Sequence, residues 1–564
     1  MTEVIPFPTS SAPGTHFQEA AGRIINGYVE PLQEGAPSGI VYRRAPGLKN
    51  FGTTSRTGFR GLFENAGLLY AAFNGQLEKF TSAGGASTNV GALTGTKKGF
   101  FARNNKSPTP DQWFVDPDNN IATFTTAAVT NSWPDIDLPA PNSTCSIDGY
   151  GVFTIGDGRA FATDLNSTAV NPLSFGTAEA KPDGLTRAIA YGGQLWLFGA
   201  FTTEVWADVG ATPFPFQKAV VIPRGIPGPY CVTGYEDSFG RGLVIIGDDN
   251  AVYKFNGYTP EKISPPDLDG LIEAVTDKTQ LEMSVYISRG HGFVLISSST
   301  WSWVLDLNNT RWAERNSYNL ARSRISGGIF AFGKWLCGDT QSGNVQQITS
   351  TVHQEINNPF RIRLESGAVE KFPVGARVGR ADFNFVTGVG VNTVERPPVS
   401  VANATGDGAH NNAVALHVPL ASLAGFNNGD AVRVSGVVGT TEANGTWQIF
   451  KGTFGGTGLL SLLGSFFTNA YVSGGTVVNI TPLDPIETNP TVEISWSDDG
   501  GQTYSAPLQR KLGRQATTRA LISLISCTGR SSWNGRRWRI DISDPVYVGF
   551  LFATQAENPK VSNA

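Results

Sequence analysis

Between residues 60 and 350 the apolar and polar positions repeat as one unit. A short strand apolar at nearly every position is followed by a turn of Gly, Asp and Asn, then by a strand of alternating polarity. The copies read GLLYAAFNGQLEKF from Gly67, QWFVDPDNNIATF from Gln112, GVFTIGDGRAFATDL from Gly151 and QLWLFGAFTTEVWADVG from Gln194. They continue as GLVIIGDDNAVYKFNG from Gly242, GFVLISSSTWSWVLDL from Gly292 and KWLCGDTQSGNVQQI from Lys334. A strand apolar on both faces is predicted to be buried on both, whereas alternation marks a half-exposed neighbour. The turns FNGQ, DPDNN, GDGR and GDDN carry the residues that tolerate positive φ and close hairpins. Hairpins recurring every 39 to 50 residues predict the blades of a β-propeller. Seven copies leave two counts open: seven blades, or six with one irregular hairpin.

The flanks follow other patterns. Residues 1–60, with Pro6, Pro8 and Pro13, are predicted to be an arm supplying the strand that closes the propeller of residues 61–350, because a closed β fold leaves no free edge. After residue 350 the stretches FRIRLESGAVEKF (360–372), PTVEISWSDDGGQTYS (490–505), TTRALISLIS (517–526) and RRWRIDISDPVYVGFLFA (536–553) predict one β-sandwich-like platform, built from residues 351–383 and 485–556. Residues 384–484 read as an insert, whose stretches GDAVRVSGVVGTTEANGTWQIFK and AYVSGGTVVNI resemble the small β-barrel of ubiquitin-activating enzymes, also found as an inserted module in phage virion proteins. No cysteine lies between Cys337 and Cys527, so conjugation chemistry does not come with it. Residues 557–564 are a C-terminal tail. Helix signals are scarce, the best being DLDGLIEAV (267–275), with Asp267 as N-cap after Pro265 and Pro266. The predicted class is all-β.

Composition strengthens this picture. Charged residues make up 16% of the 564 and glycines number 66, which favours short strands and turns over helices. A net charge of −4 gives no global attraction for a phosphate backbone. Cys145, Cys231, Cys337 and Cys527 are too far apart for a zinc site or a disulfide scaffold and read as free thiols in a reducing cytoplasm. The stretch MTEVIPFPTSSAPG has no basic and apolar leader pattern, and no run approaches 18 apolar residues, so neither Sec export nor a membrane span is predicted.

Candidate chemistry is sparse. Ser497, Asp499, Gly501 and Thr503 form a Ser-x-Asp-x-Gly-x-Thr pattern that resembles the Asp-box of sialidases. It occurs once, outside the repeats, and reads as a self-sufficient turn. Few arginines stand at blade strand starts, so the arginine cluster of a sialidase is not predicted. The five histidines form no ligand spacing, and neither a GxSxG nor a GxxxxGK[ST] motif is present, so no catalytic, cofactor-binding or metal residue is assigned. Between Gly500 and Ile540 lie Arg510, Lys511, Arg514, Arg519, Arg530, Arg536, Arg537 and Arg539 and no acid. They either pair with acids elsewhere or form a docking surface, for which Arg510, Arg514, Arg536, Arg537 and Arg539 are the candidates.

Several stretches together resemble the tail nozzle, or packaged DNA stabilisation protein, of short-tailed bacteriophages. They are NGYVEPLQEGAPSGIVYRRAPGLKNF (26–51), KPDGLTRAIAYGGQLWLFGAFTTEVWADVGAT (181–212), IPRGIPGPYCVTGYEDSFGRGLVIIGDDNAVYKFNGYTPEKIS (222–264), SWSDDGGQTYS and RRWRIDISDPV. Pro182, Asp183, Gly184, Arg224, Gly225, Gly228, Tyr253 and Gly257 carry the most specific part. The resemblance implies a non-enzymatic virion tail protein, assembled in the bacterial cytoplasm as a homo-hexameric ring below portal and adaptor. It further implies contact with a needle, plug or spike, and DNA that passes without sequence-specific binding. The alternative is a tail protein that binds or hydrolyses glycans; a third reading makes the insert a receptor-binding module.

Overall fold

The computed structural model describes residues 2–16, 19–178, 180–370, 377–387, 397–481, 490–513, 520–525, 531 and 535–557. The chain forms two compact units: Met1–Thr387 with Thr491–Leu512 and Thr518–Ala564, and Gly388–Pro490 with Gly513–Thr517.

In the first unit seven antiparallel sheets follow one another along the chain. Blade 1 spans Gly61–Asn65 to Thr88–Leu93, blade 2 Phe100–Arg103 to Val129–Thr130, and blade 3 Ser143–Ile147 to Phe175–Thr177. Blade 4 runs from Arg187–Tyr191 to Phe216–Ile222, blade 5 from Val232–Thr233 to Thr259–Lys262, and blade 6 from Glu282–Ser288 to Arg311–Glu314. Blade 7 consists of Ile325–Ala331, Lys334–Asp339 and Val345–Thr349, completed by Gly47–Thr53 from the arm. The first strands of blades 1 to 4 adjoin in turn, as do those of blades 5 to 7, and that of blade 7 adjoins that of blade 1; Arg187 bonds Tyr235 across the junction of blades 4 and 5, so the ring closes with seven blades. The closing strand pairs Gly47 with Thr349 and Leu48 with Ile348.

Each hairpin read from the sequence is the central pair of a blade. Leu68–Phe73, Gln112–Val115 and His291–Ser297 are buried on both faces, as continuous apolarity requires, whereas Ile121–Phe124 alternates. Asn119 and Asn250 hold φ of 65° in the turns between these strands.

Blade 6 does not end at its fourth strand. Arg23–Ile25 adds to it in parallel, through Ile25 and Glu314, and the sheet continues through Ile362–Glu365, Arg537–Ile542, Thr491–Ser497 and Leu508–Lys511. The short parallel joint is reinforced by Arg23, whose Nε and Nη2 donate to Glu314 at 2.9 and 2.5 Å. Against this extension lies a second sheet of Gly27–Pro31, Ile40–Arg44, Val548–Glu557, Val378–Thr387 and Ala520–Ile525. Trp538 of one sheet packs 5.4 Å from Phe383 of the other, and its Nε1 donates to Gln555 at 3.0 Å. The sandwich therefore grows out of a blade, and the arm supplies four of its strands besides the closing one: Arg23–Ile25, Gly27–Pro31, Ile40–Arg44 and Thr2–Val4, the last paired with Val548–Glu557. Val378–Thr387 differs from the boundary read at residue 384: Asn384 pairs with Leu521 and Phe552 inside the ladder. The boundary read at 484 lies outside the described residues. The helix is Pro266–Glu273, with Pro265 as N-cap; Asp267 lies in the first turn rather than at the cap, because the prolines already fix the entry.

The second unit is one seven-stranded antiparallel sheet. Its two ends, Val399–Ser400 and Asn403–Asp407, are separated in sequence by only Val401 and Ala402. Val401 N donates to Gly475 O at one end and Ala402 N to His417 O at the other, so the sheet rolls into a barrel. Val414, Leu416, Val432, Ile449, Leu460 and Val477 fill it.

Candidate functional site

Most of the motif residues converge on one network between blades 4 and 5. Asp183 accepts from Phe201 N at 2.7 Å and from Thr202 N at 2.9 Å, tying the loop before blade 4 to a turn within it. Thr203 Oγ1 donates to the Arg224 carbonyl at 2.7 Å. The Arg224 guanidinium pairs with Asp248 at 3.0 Å and Asp249 at 3.2 Å and lies 4.8 Å from the Tyr253 ring. Tyr253 donates its hydroxyl to Asp249, and burial together with that bond pushes the phenol up to about 12. Gly225 is required by close approach: a Cβ there would stand 2.3 Å from the Ala200 carbonyl carbon. Pro182 is exposed beside Asp183, and Gly184 occupies the same loop at φ +64°. Gly228 faces the Lys278 backbone, and Gly257 lies in the outer turn of blade 5; neither joins the network. Apart from Arg224 Nε, which has no hydrogen-bond partner, these groups bond one another and form a lock between blades.

The Asp-box is equally self-contained. Ser497 Oγ donates to Asp499 at 2.6 Å and accepts from Gly501 N at 2.8 Å. Thr503 gives its N–H and hydroxyl to the same carboxylate. Burial works against ionisation of Asp499, yet the bonds from Ser497 and Thr503 hold its carboxyl well below the usual range.

The arginine run differs from a docking surface at three of its five candidates. Arg536 is fully buried and donates Nε and Nη2 to Asp498 at 2.7 and 2.8 Å, with its guanidinium 5.4 Å from the Trp496 ring and 5.8 Å from the Trp538 ring. Arg537, 5% exposed, donates to the Ala20 carbonyl at 2.9 Å. Arg539 pairs with Glu365 at 2.9 Å and lies 3.4 Å from the Tyr504 ring. These side chains fasten platform strands to each other and to the arm. Arg510 is exposed, and Arg514 lies outside the described residues.

The sequence reading missed the hub. Arg60, Arg187 and Arg324 stand at the starts of inner strands, contrary to the expectation of few arginines there. Arg60 pairs with Asp116 at 2.8 Å with both side chains inaccessible, and Arg324 pairs with buried Asp339. Arg187, 5% exposed, donates Nη2 to the Tyr235 hydroxyl at 2.9 Å and Nη1 to Ser143 at 3.4 Å, and its guanidinium lies 3.3 Å from the Phe100 ring centroid. This trio crosses the axis. On either side of it lie cavities of about 340 and 140 Å³, both lined by Phe100, Arg187 and Tyr235. The signal was a base opening an apolar inner strand, as in RAIAY from Arg187.

Among the described residues no cluster of His, Cys, Asp and Glu fits a metal ion, and no helix is long and apolar enough to cross a membrane. A family model described as Phage_stabilise, bacteriophage P22 Gp10, beta-propeller, matches residues 24–353. No curated protein matches. Similar solved structures include the computationally designed Ika8 protein, 11% identical with a TM-score of 0.33, covering 62% of this chain and 99% of that one. BamB from Moraxella catarrhalis is also 11% identical with a TM-score of 0.33, covering 57% of this chain and 96% of its own.

Proposed function

The chain belongs to the phage stabilisation family, represented by the β-propeller of bacteriophage P22 Gp10, and from that premise we propose that it is a structural component of a phage tail. In this reading it forms a nozzle ring that extends the DNA channel below the portal and adaptor, retains packaged DNA and passes it during ejection. The observation that carries the reading is mechanical: blade 6 and the platform share one continuous nine-stranded sheet, and the arm closes blade 7. Load placed on either part is transmitted through backbone ladders rather than a linker, as retention of DNA under pressure demands. Arg187 bonded to Tyr235 and lying over Phe100 fills the hub of one chain, which supports a passage formed between copies. A chain of net charge −4 avoids the counterion release that would make DNA stick to its wall.

A needle, plug or spike protein would close the far end of a ring of six copies. Mass measurement of the purified protein, alone and with the adaptor, tests the assembly: a discrete hexameric ring in either sample is expected, and a monomer in both overturns it. Incubation with host polysaccharide is expected to release no sugar. The closed Asp-box gives the glycan-hydrolysing alternative no support.

A further inference from the structure

Arg187 poses an electrostatic problem that the network around it does not solve. Charged side chains are almost never this buried unless paired. Its hydrogen-bond partners are two neutral hydroxyls, Nε has no partner, and among the described residues no carboxylate pairs with it. Glu236 senses its charge but is held by Thr233 Oγ1 and Gly234 N at 2.6 Å each, and burial pushes that carboxyl up toward its neutral form. A buried cation is thus left short of a counter-charge, on the wall of a cavity of about 340 Å³.

The cavity follows the propeller axis. Its lining advances along the inner strands relative to the smaller cavity, from Gly61 and Leu62 to Phe63 and Glu64, and from Gly327 to Ile329 and Phe330. Phe63, Phe101, Phe330, Ala188 and Ala190 form its apolar part, Thr144, Ser146 and Tyr235 add polar groups, and Arg187 is shared between the two cavities. Its volume lies in the range of small-molecule sites, where apolar walls and one convergent charge set specificity. Glu64, Glu236 and Asp237 also line it, which disfavours a ligand with a second acid.

We propose that the larger hub cavity binds a single carboxylate carried on a short apolar stem, with the carboxylate on Arg187 and the stem between Phe63, Phe101 and Phe330. The carboxylate comes from a free monocarboxylic acid or from the C-terminal residue of a peptide. The site lies within one chain and does not depend on ring assembly.

Calorimetric titration of the full chain tests this with hexanoate, hexanamide, adipate, and a tetrapeptide ending in phenylalanine with a free or amidated C-terminus. Hexanoate or the free peptide is expected to bind at least about tenfold more tightly than its amide, reflecting the charge-assisted contact, and adipate more weakly than hexanoate. Binding by hexanoate alone identifies a free acid; preference for the free peptide identifies a chain terminus. Arg187→Gln is expected to abolish the preference for the acid, with folding checked by circular dichroism. Ala190→Trp, which keeps the cation and fills the cavity, is expected to abolish binding even if the first variant fails to fold. Equal affinity for acid and amide, no binding by either acid, or binding unchanged in Ala190→Trp overturns the proposal.

Discussion

The propeller–platform unit and the inserted barrel handle polar groups in opposite ways. The larger unit buries Arg60 against Asp116, Arg315 against Glu355, Arg324 against Asp339 and Arg536 against Asp498. In the barrel the core is Val, Leu, Ile, Ala and one Phe, and the neutral amide of Asn479 donates to the buried Asp430 at 2.6 Å. A propeller must set the position of each blade against the next at its crowded inner strands, where apolar packing is permissive about register. A paired charge is not, since displacing it leaves an uncompensated ion in a low-dielectric site. A barrel rolled from one continuous sheet has its register set by the ladder and does without such pins.

The largest expected effect tests the pins. Asp116→Ala should cost about 3–5 kcal/mol in denaturant unfolding of the larger unit, because the Arg60 charge is left buried and unpaired. Replacing both, Arg60→Met with Asp116→Leu, should restore most of that loss; a single variant costing under about 1 kcal/mol would break the comparison. Next comes the barrel: Leu460, fully buried, should cost about 2–5 kcal/mol as Leu460→Ala. Hydrogen exchange should rise in peptides of residues 397–481 and stay unchanged across blades 2 to 4. The smallest effect is on pH dependence. Burial works against ionisation of Glu442, but backbone N–H groups of Asn469 and Thr468 hold its carboxyl at about 2, below its ordinary 4.5. A lowered folded value means that its contribution is complete above pH 4.5 and is lost as pH falls toward 2. Acid titration of barrel exchange rates should show that slope, reduced by solvent screening and flattened in Glu442→Gln.

What was legible in the sequence was what repeats. Seven hairpins announced a propeller, with six or seven blades left open, because their strands are continuously apolar and their turns need Asn, Asp or Gly. The outer strands escaped: Val129–Thr130 has two residues, and Thr259–Lys262 is polar along its length because one side faces water. The motif block was legible as a resemblance, but its physical content, a lock running from Asp183 through Arg224 to Tyr253, required geometry. The arginine run looked uncompensated because its window opened at Gly500. The partner of Arg536 is Asp498, two residues earlier, and that of Arg539 is Glu365, reached only through the sheet. Charge counted along a chain misses pairs made across strands. The hub escaped for a related reason: Phe100, Arg187 and Tyr235 come from three blades.

The strand Gly47–Thr53 pairs with Val345–Thr349, almost three hundred residues later. At a bacterial ribosome's pace of about 5–20 residues per second, the early strand waits roughly 15–60 seconds before its partner is synthesised. Throughout that interval the growing array of blades carries an unmated border at each end, open to neighbours on the same polysome. Slow translation or a crowded messenger would therefore harm this protein before its last blade exists, and chaperone demand should peak before residue 349 leaves the exit tunnel.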